Sequence, residues 1–265
     1  MKTGVILPSF SNSPDEAIEV ARIADASGVD GVFAYDHVWP IGQPERPALS
    51  PFPLLGAIAS ETERVVVGTL VARVGLAPDE VLLSQFHALD LVTAGRVVAA
   101  LGVGDRNSRE ENVAYGIAFR PIDERLGSLA RCVSALKAAG IEVWVGSGHI
   151  GSKTVSVALD LGVAVNLWNA PVKDVAGQAV RSEVTWAGPL PRRSGVSERT
   201  ATSELIETIA TAGASWVILP WPAPLDAMVD AAAGTTETVT TDAAAAAKPA
   251  TGESAHVAER SSRTG

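Results

Sequence analysis

Two patterns alternate along the chain. Short, almost wholly apolar runs recur: GVIL at 4–7, GVFAY at 31–35, RVVVGTLV at 64–71, RVVAALGVG at 96–104, IEVWVG at 141–146, VAVNLW at 163–168, SEVTWAG at 182–188 and ASWVILP at 214–220. Between them lie longer segments whose apolar positions return every three or four residues. Runs of the first kind suit strands buried on both faces, and the second kind suits helices with one buried stripe. The segment after residue 12 shows how a helix is marked. Ser13 can cap, Pro14 suits a first turn, and Asp15 and Glu16 favour the positive end of the helix dipole. Ala17, Val20, Ala21 and Ala24 keep the helical period, and Gly28 ends it. Further helices are predicted over 53–62, 78–92, 123–140, 153–162, 171–179 and 201–213, whereas 102–116, GVGDRNSREENVAYG, reads as a polar loop.

Eight strands, most followed by a helix, predict a compact α/β fold of the (β/α)8 TIM-barrel type over residues 1–232. The chain also echoes itself. ADASGVDGVFAYDHV, ALDLGVAVNLWNA and IATAGASWVILPWP share a helix end, a glycine, an apolar strand and then polar or aromatic residues. A doubly wound open sheet is the alternative that strand count alone leaves open. From 233 to 265 the composition turns to Ala, Thr and Ser with little to bury, which predicts a disordered tail.

Composition narrows the function classes. A net charge of −9 gives no basic footprint for nucleic acid or an anionic membrane surface. The single cysteine, Cys132, rules out an internal disulfide and a cysteine-rich metal site. No run approaches the ~18 apolar residues of a membrane span, and MKTGVILPSF is too short for a signal peptide, so a cytoplasmic protein is expected.

In a barrel the chemistry sits at the C-terminal ends of the strands. Strand 2 ends in Asp36, His37, Trp39 and Pro40: a histidine exchanges protons near neutral pH, and an adjacent carboxylate can orient it. The bland alternative is an Asp capping a turn and a His bonded to backbone. Strand 3 ends in TLVARVG, where a departure from pattern can mark a bulge. Gly102 and Gly104 permit close backbone approach beside a charged loop that includes Asp105, Glu111 and Asn112, although their spacing fits no dinucleotide fingerprint. WVGSGHIGSK, at 144–153, places glycines and a serine before a helix, which suits an anion cradle as well as a plain turn. Asn166, Trp168 and Asn169 end strand 6, and Trp221 follows strand 8; aromatics there can sandwich a flat ring or pack a rim. His87 reads as an outer-helix residue and His256 as part of the tail, and no His, Asp and Glu cluster has metal spacing.

Taken in order, GVDGVFAYDHVWP, LGAIASETERVVVGTLVARV, LVTAGRVVAALGVGDRNSREENVAYGI and EVWVGSG followed by VALDLGVAVNLWNAP resemble the bacterial-luciferase-like flavin-dependent oxidoreductases, and more specifically their branch using deazaflavin coenzyme F420. The resemblance runs over about residues 4–190. It implies a (β/α)8 barrel, with His37 as proton donor or acceptor, Asp36 beside it and Asp105 as a second acid. It implies a non-proline cis peptide at Leu70 and Val71 behind the reactive ring. Cofactor contacts are implied at Gly102, Gly104 and Asn112, and a phosphate cradle at Gly146, Ser147 and Gly148. Trp39 and Trp168 are expected on the substrate side.

The resemblance implies hydride transfer between F420 and a small organic substrate. One alternative is a luciferase-type monooxygenase using FMN supplied by a separate flavin reductase. Another is a barrel that binds flavin without turnover. Relatives are often homodimers. Many carry a covering insertion after strand 7, and here GPLPRRSGVSERT is brief.

Overall fold

The computed structural model describes the backbone of residues 1–246 and the side chains of residues 1–235. Eight parallel strands close on themselves: β1 (Lys2–Ile6), β2 (Gly31–Ala34), β3 (Val66–Arg73), β4 (Val97–Gly102), β5 (Glu142–Ser147), β6 (Ala164–Trp168), β7 (Val184–Ala187) and β8 (Trp216–Pro220), with β8 pairing back to β1. The predicted barrel is therefore correct, and closure excludes the open sheet. Outside it run α1 (Asp15–Ser27), α2 (Pro51–Ala59), α3 (Asp79–Thr93), α4 (Arg106–Ala114), α5 (Ile122–Ala138), α6 (Lys153–Leu161), α7 (Val172–Ala179), α8 (Glu198–Thr211) and α9 (Leu225–Ala246). No helix among the described residues is long and apolar enough to cross a membrane.

The near-continuous apolar strands follow from two buried faces. Val5, Val32, Ala34, Val67 and Leu101 meet the helices, while Ile6, Phe33, Trp144, Trp216 and Ile218 fill the barrel's interior. Phe33 is the largest contribution from β2. Its ring stacks on Trp144 with centroids 5.5 Å apart and meets the edge of Trp216 at 5.8 Å. It needs glycines as neighbours: a Cβ on Gly4 would lie 2.7 Å from its ring and one on Gly68 2.9 Å.

The helix boundaries follow local chemistry. Ser152 and Ser197 cap α6 and α8 by accepting the N–H of Val155 and Thr200. Gly28 closes α1 with φ 94°. At the start of α1, the Ser13 hydroxyl accepts the Asp15 N–H at 3.3 Å.

Two expectations change. Residues 106–114 are not a loop but the helix α4, because Asp105 and Ser108 form a reciprocal cap: each side chain accepts the other's backbone N–H, at 3.0 and 3.1 Å. Of the tail expected over 233–265, α9 carries helical backbone to Ala246, and residues 247–265, including His256, lie outside the described residues.

β3 carries the irregularity that matters most. Thr69 pairs with Ala99 and Ala72 with Leu101, so three residues of β3 advance against two of β4. The peptide between Leu70 and Val71, inside this bulge, is cis.

Candidate active site

A cleft of about 930 Å³ opens at the C-terminal ends of β1 to β6. Alternation along β2 decides what enters it. Phe33 points into the barrel, so Tyr35 and His37, two and four residues on, rise into the mouth above it.

The His37 imidazole is held by a carboxylate far away in sequence. Its Nδ1 lies 2.6 Å from Oε1 of Glu111, on α4. The other Glu111 oxygen accepts from Nη2 of Arg73, at the end of β3, at 2.8 Å. Glu111 is 1% exposed and Arg73 4%, whereas His37 keeps 25% of its side chain open to the cleft. One buried carboxylate thus bridges a fixed cation and a partly accessible imidazole. Burial pushes the Glu111 carboxyl up, but the hydrogen bonds and charges of His37 and Arg73 outweigh it, and the net position is below the usual range. Glu111 is therefore ionised at neutral pH. With Nδ1 engaged, Nε2 is the nitrogen left for proton exchange.

Asp36 is not the orienting carboxylate. It accepts the backbone N–H of Arg73 at 2.8 Å, which ties β2 to the β3 bulge. Burial pushes its carboxyl up, against the lowering effect of that hydrogen bond and the Arg73 charge.

Asp105 lines the cleft, but its carboxylate is committed to capping α4. Burial pushes it up, yet the hydrogen bonds from Ser108 and Asn107 bring it below the usual range, so it is a poor proton donor at neutral pH. The expected role as a second acid does not suit that geometry.

The cleft floor is Leu70 and Val71, with Gly102 and Gly146 on either side. These two glycines make room for the Val71 side chain. A Cβ on Gly102 would lie 2.5 Å from Cγ2 of Val71, and one on Gly146 would lie 2.6 Å from Cγ1. Gly104 has φ 71°, and its carbonyl and that of Val103 accept from the Arg125 guanidinium, which pins the loop leading into α4.

Gly146, Ser147 and Gly148 line the wall where β5 runs into α6. A chain of hydroxyls links Ser147 to Ser152 at 2.7 Å and Ser152 to Thr154 at 2.6 Å, beside the N-terminus of α6.

Two expected contact residues lie outside the cleft lining. Asn112 is 2% exposed and donates to the Gly75 carbonyl at 3.1 Å. One residue past Glu111 on a helix, it faces a different direction and does not line the cleft. Trp39 stacks on Tyr115 at 6.2 Å, outside the lining. Trp168 does line it, and joins a group that sequence reading missed: Phe10 stacks on Tyr35 at 5.6 Å, and Tyr35 meets Trp168 edge-on at 6.1 Å. The period-2 alternation from Phe33 was the available signal for Tyr35.

Barrel, bulge and mouth-facing histidine define a (β/α)8 protein with a site built on β2, β3 and β4. More narrowly, the chain belongs to the luciferase-like monooxygenase family, whose model matches residues 1–142, over half of its length. Among curated proteins it is 33% identical over 134 residues to the F420-dependent glucose-6-phosphate dehydrogenase of Nakamurella multipartita (strain ATCC 700099 / DSM 44233 / CIP 104796 / JCM 9543 / NBRC 105858 / Y-104), a match covering 50% of this chain and 38% of that one. The matched segment therefore spans well under half the length of that relative. Among solved structures, an F420-dependent secondary alcohol dehydrogenase in complex with an F420-acetone adduct superposes with a TM-score of 0.72 at 13% identity, over 87% of this chain and 97% of that one. The oxygenating constituent of 3,6-diketocamphane monooxygenase from the CAM plasmid of Pseudomonas putida, in complex with FMN, superposes with a TM-score of 0.68 at 13% identity, over 89% and 98%. These two likenesses establish the fold.

Proposed function

We propose that the chain is an oxidoreductase that uses the deazaflavin coenzyme F420, with FMN as the alternative cofactor, and acts on a small organic substrate. The observation that carries this reading is the Arg73–Glu111–His37 relay beside the bulged Leu70–Val71 floor. The names of the curated relative and of the alcohol dehydrogenase favour F420 over FMN.

The residues present suit such a cofactor. The floor is apolar and flanked by two glycines, so a flat ring can lie on Val71. The hydroxyls of Ser147, Ser152 and Thr154 at the start of α6, with Lys153 next to them, form a donor set for a phosphate. The volume of about 930 Å³ lies within the usual range for a cofactor site.

When bound, the deazaflavin supplies a ring that exchanges hydride. The chain supplies proton transfer and positioning. His37 takes a proton from a substrate hydroxyl, or returns one, at Nε2. Glu111 holds the Nδ1 side and stabilises the imidazolium that results. Arg73 keeps Glu111 ionised. Asp36 and Asp105 act on the scaffold, one on the bulge and the other on α4. If FMN were the cofactor, a separate reductase would have to supply it reduced.

The test is turnover of F420-loaded protein against its His37→Ala variant. The proposal expects unchanged cofactor affinity and a loss of about 10²–10⁴ in kcat, the usual contribution of a positioned acid–base. Equal turnover in both would assign catalysis elsewhere. Cofactor binding without turnover in either protein would favour a flavin-binding barrel.

A further inference from the structure

The two walls of the cleft differ in chemistry, and the difference bears on the substrate class. The β5–α6 wall offers hydroxyls, Lys153 and His149. A second wall, from β1, β2 and β6, is aromatic; it adjoins the first where β6 pairs with β5. Phe10 lies nearly parallel to Tyr35, at 14°, and Trp168 stands across Tyr35 at 70°, so the three rings form one continuous apolar face extended by Ile41.

No arginine or lysine side chain lines that face, although the exposed Arg46 donates to the Phe10 carbonyl at 3.3 Å from outside the lining. Among the described residues that line the cleft, arginine and lysine are confined to Arg73 and Lys153. Arg73 delivers its charge to the buried Glu111, and Lys153 sits on the β5–α6 wall, paired with Asp123 at 2.8 Å. The carboxylates lining the cleft, Asp36 and Asp105, add negative potential near His37. Burial pushes the Tyr35 phenol up to about 12, so this wall also stays uncharged at neutral pH. A dianionic phosphate placed there would lose its water against the rings and meet no lining cation, whereas an apolar ring would exchange water for aromatic contact.

Resting on the oxidoreductase reading above, we infer that the substrate is an uncharged, largely apolar alcohol or carbonyl compound seated between the Phe10–Tyr35–Trp168 wall and His37, and that a sugar phosphate is excluded. This departs from the substrate named for the curated relative.

The experiment compares two probes, cyclohex-2-enone and glucose 6-phosphate, on the full chain. Binding is read by intrinsic tryptophan fluorescence and by calorimetry, with and without saturating F420. The inference predicts at least about tenfold tighter binding of the enone, a difference of one decade in Kd. It also predicts that Trp168→Ala with Phe10→Ala removes most of that preference. Glucose 6-phosphate binding as tightly as the enone would overturn it, as would an enone affinity indifferent to the double substitution, or no enone binding at millimolar concentration. The F420 titration is a separate readout. Loss of F420 binding with the enone preference intact would sink the cofactor reading alone, and the reverse pattern would sink only the substrate class.

Discussion

Replacing Glu111 by Gln separates the structural from the functional consequence of the buried relay. The substitution keeps shape and removes charge. Arg73, 4% exposed, then loses its paired carboxylate, and its Nε and Nη1 already lack hydrogen-bond partners among the described residues. Breaking a buried pair by removing one member costs about 3–5 kcal/mol. At about 2–4 °C per kcal/mol for a domain of this size, Tm should fall by about 6–20 °C in differential scanning calorimetry at neutral pH. The double variant Arg73→Met with Glu111→Leu removes both charges and should recover stability to within about 2 kcal/mol of the parent. Its turnover should stay at least as low as that of Glu111→Gln, because His37 still lacks the ionised carboxylate at Nδ1. A Tm drop under about 2 °C for Glu111→Gln would show that the pair is not desolvated as described. Recovered turnover in the double variant would show that Glu111 does not position His37.

Three further outcomes follow from the same geometry. Gly102→Ala places a Cβ 2.5 Å from Val71 and should cost about 1–3 kcal/mol in urea unfolding, with most of it regained on adding Val71→Ala. Phe33→Ala empties the space among Gly4, Gly68, Trp144 and Trp216 and should cost about 3–5 kcal/mol. Asp36 and Glu111 should have opposite pH signatures. Asp36 is raised in the fold, so its ionisation opposes folding once pH passes the unfolded value of 3.8; Asp36→Asn, which keeps an acceptor for Arg73, should therefore raise Tm at pH 7 and leave it unchanged below that value. Glu111 is lowered, so its contribution is complete above the unfolded value of 4.5 and is lost as pH falls through the folded value. A Tm gain for Asp36→Asn that persisted in acid would contradict the assignment.

The barrel was legible because each strand is a continuous apolar run and each run is followed by helix punctuation. Gly28 and Ser152 mark ends and starts by backbone chemistry that any neighbour would leave intact. The site was legible only where one strand end carries it. His37 could be read from DHVW, but its partner is 74 residues away, and nothing local joins the two. α4 reads as a loop in the sequence because RNSREENVA has almost no apolar stripe. The signal lay instead in the Asp105–Ser108 spacing, which is that of a reciprocal cap. Asn112 and Trp39, expected at the site from the resemblance, lie outside the cleft lining, because a motif match says nothing of which way a helix turn or a loop points a side chain. Arg73 carried a usable hint, since an arginine at the end of an apolar strand demands a buried anion.

The central claim, a deazaflavin site at the mouth of β1 to β6, meets its most direct test in parallel titrations of the purified chain with F420 and FMN, followed by fluorescence. The account predicts saturable F420 binding at micromolar concentration, tighter than FMN, and weakened when Ser147 and Ser152 are both changed to Ala. Binding of neither cofactor at micromolar levels would contradict it, and FMN binding tighter than F420 would transfer the site to the monooxygenase reading.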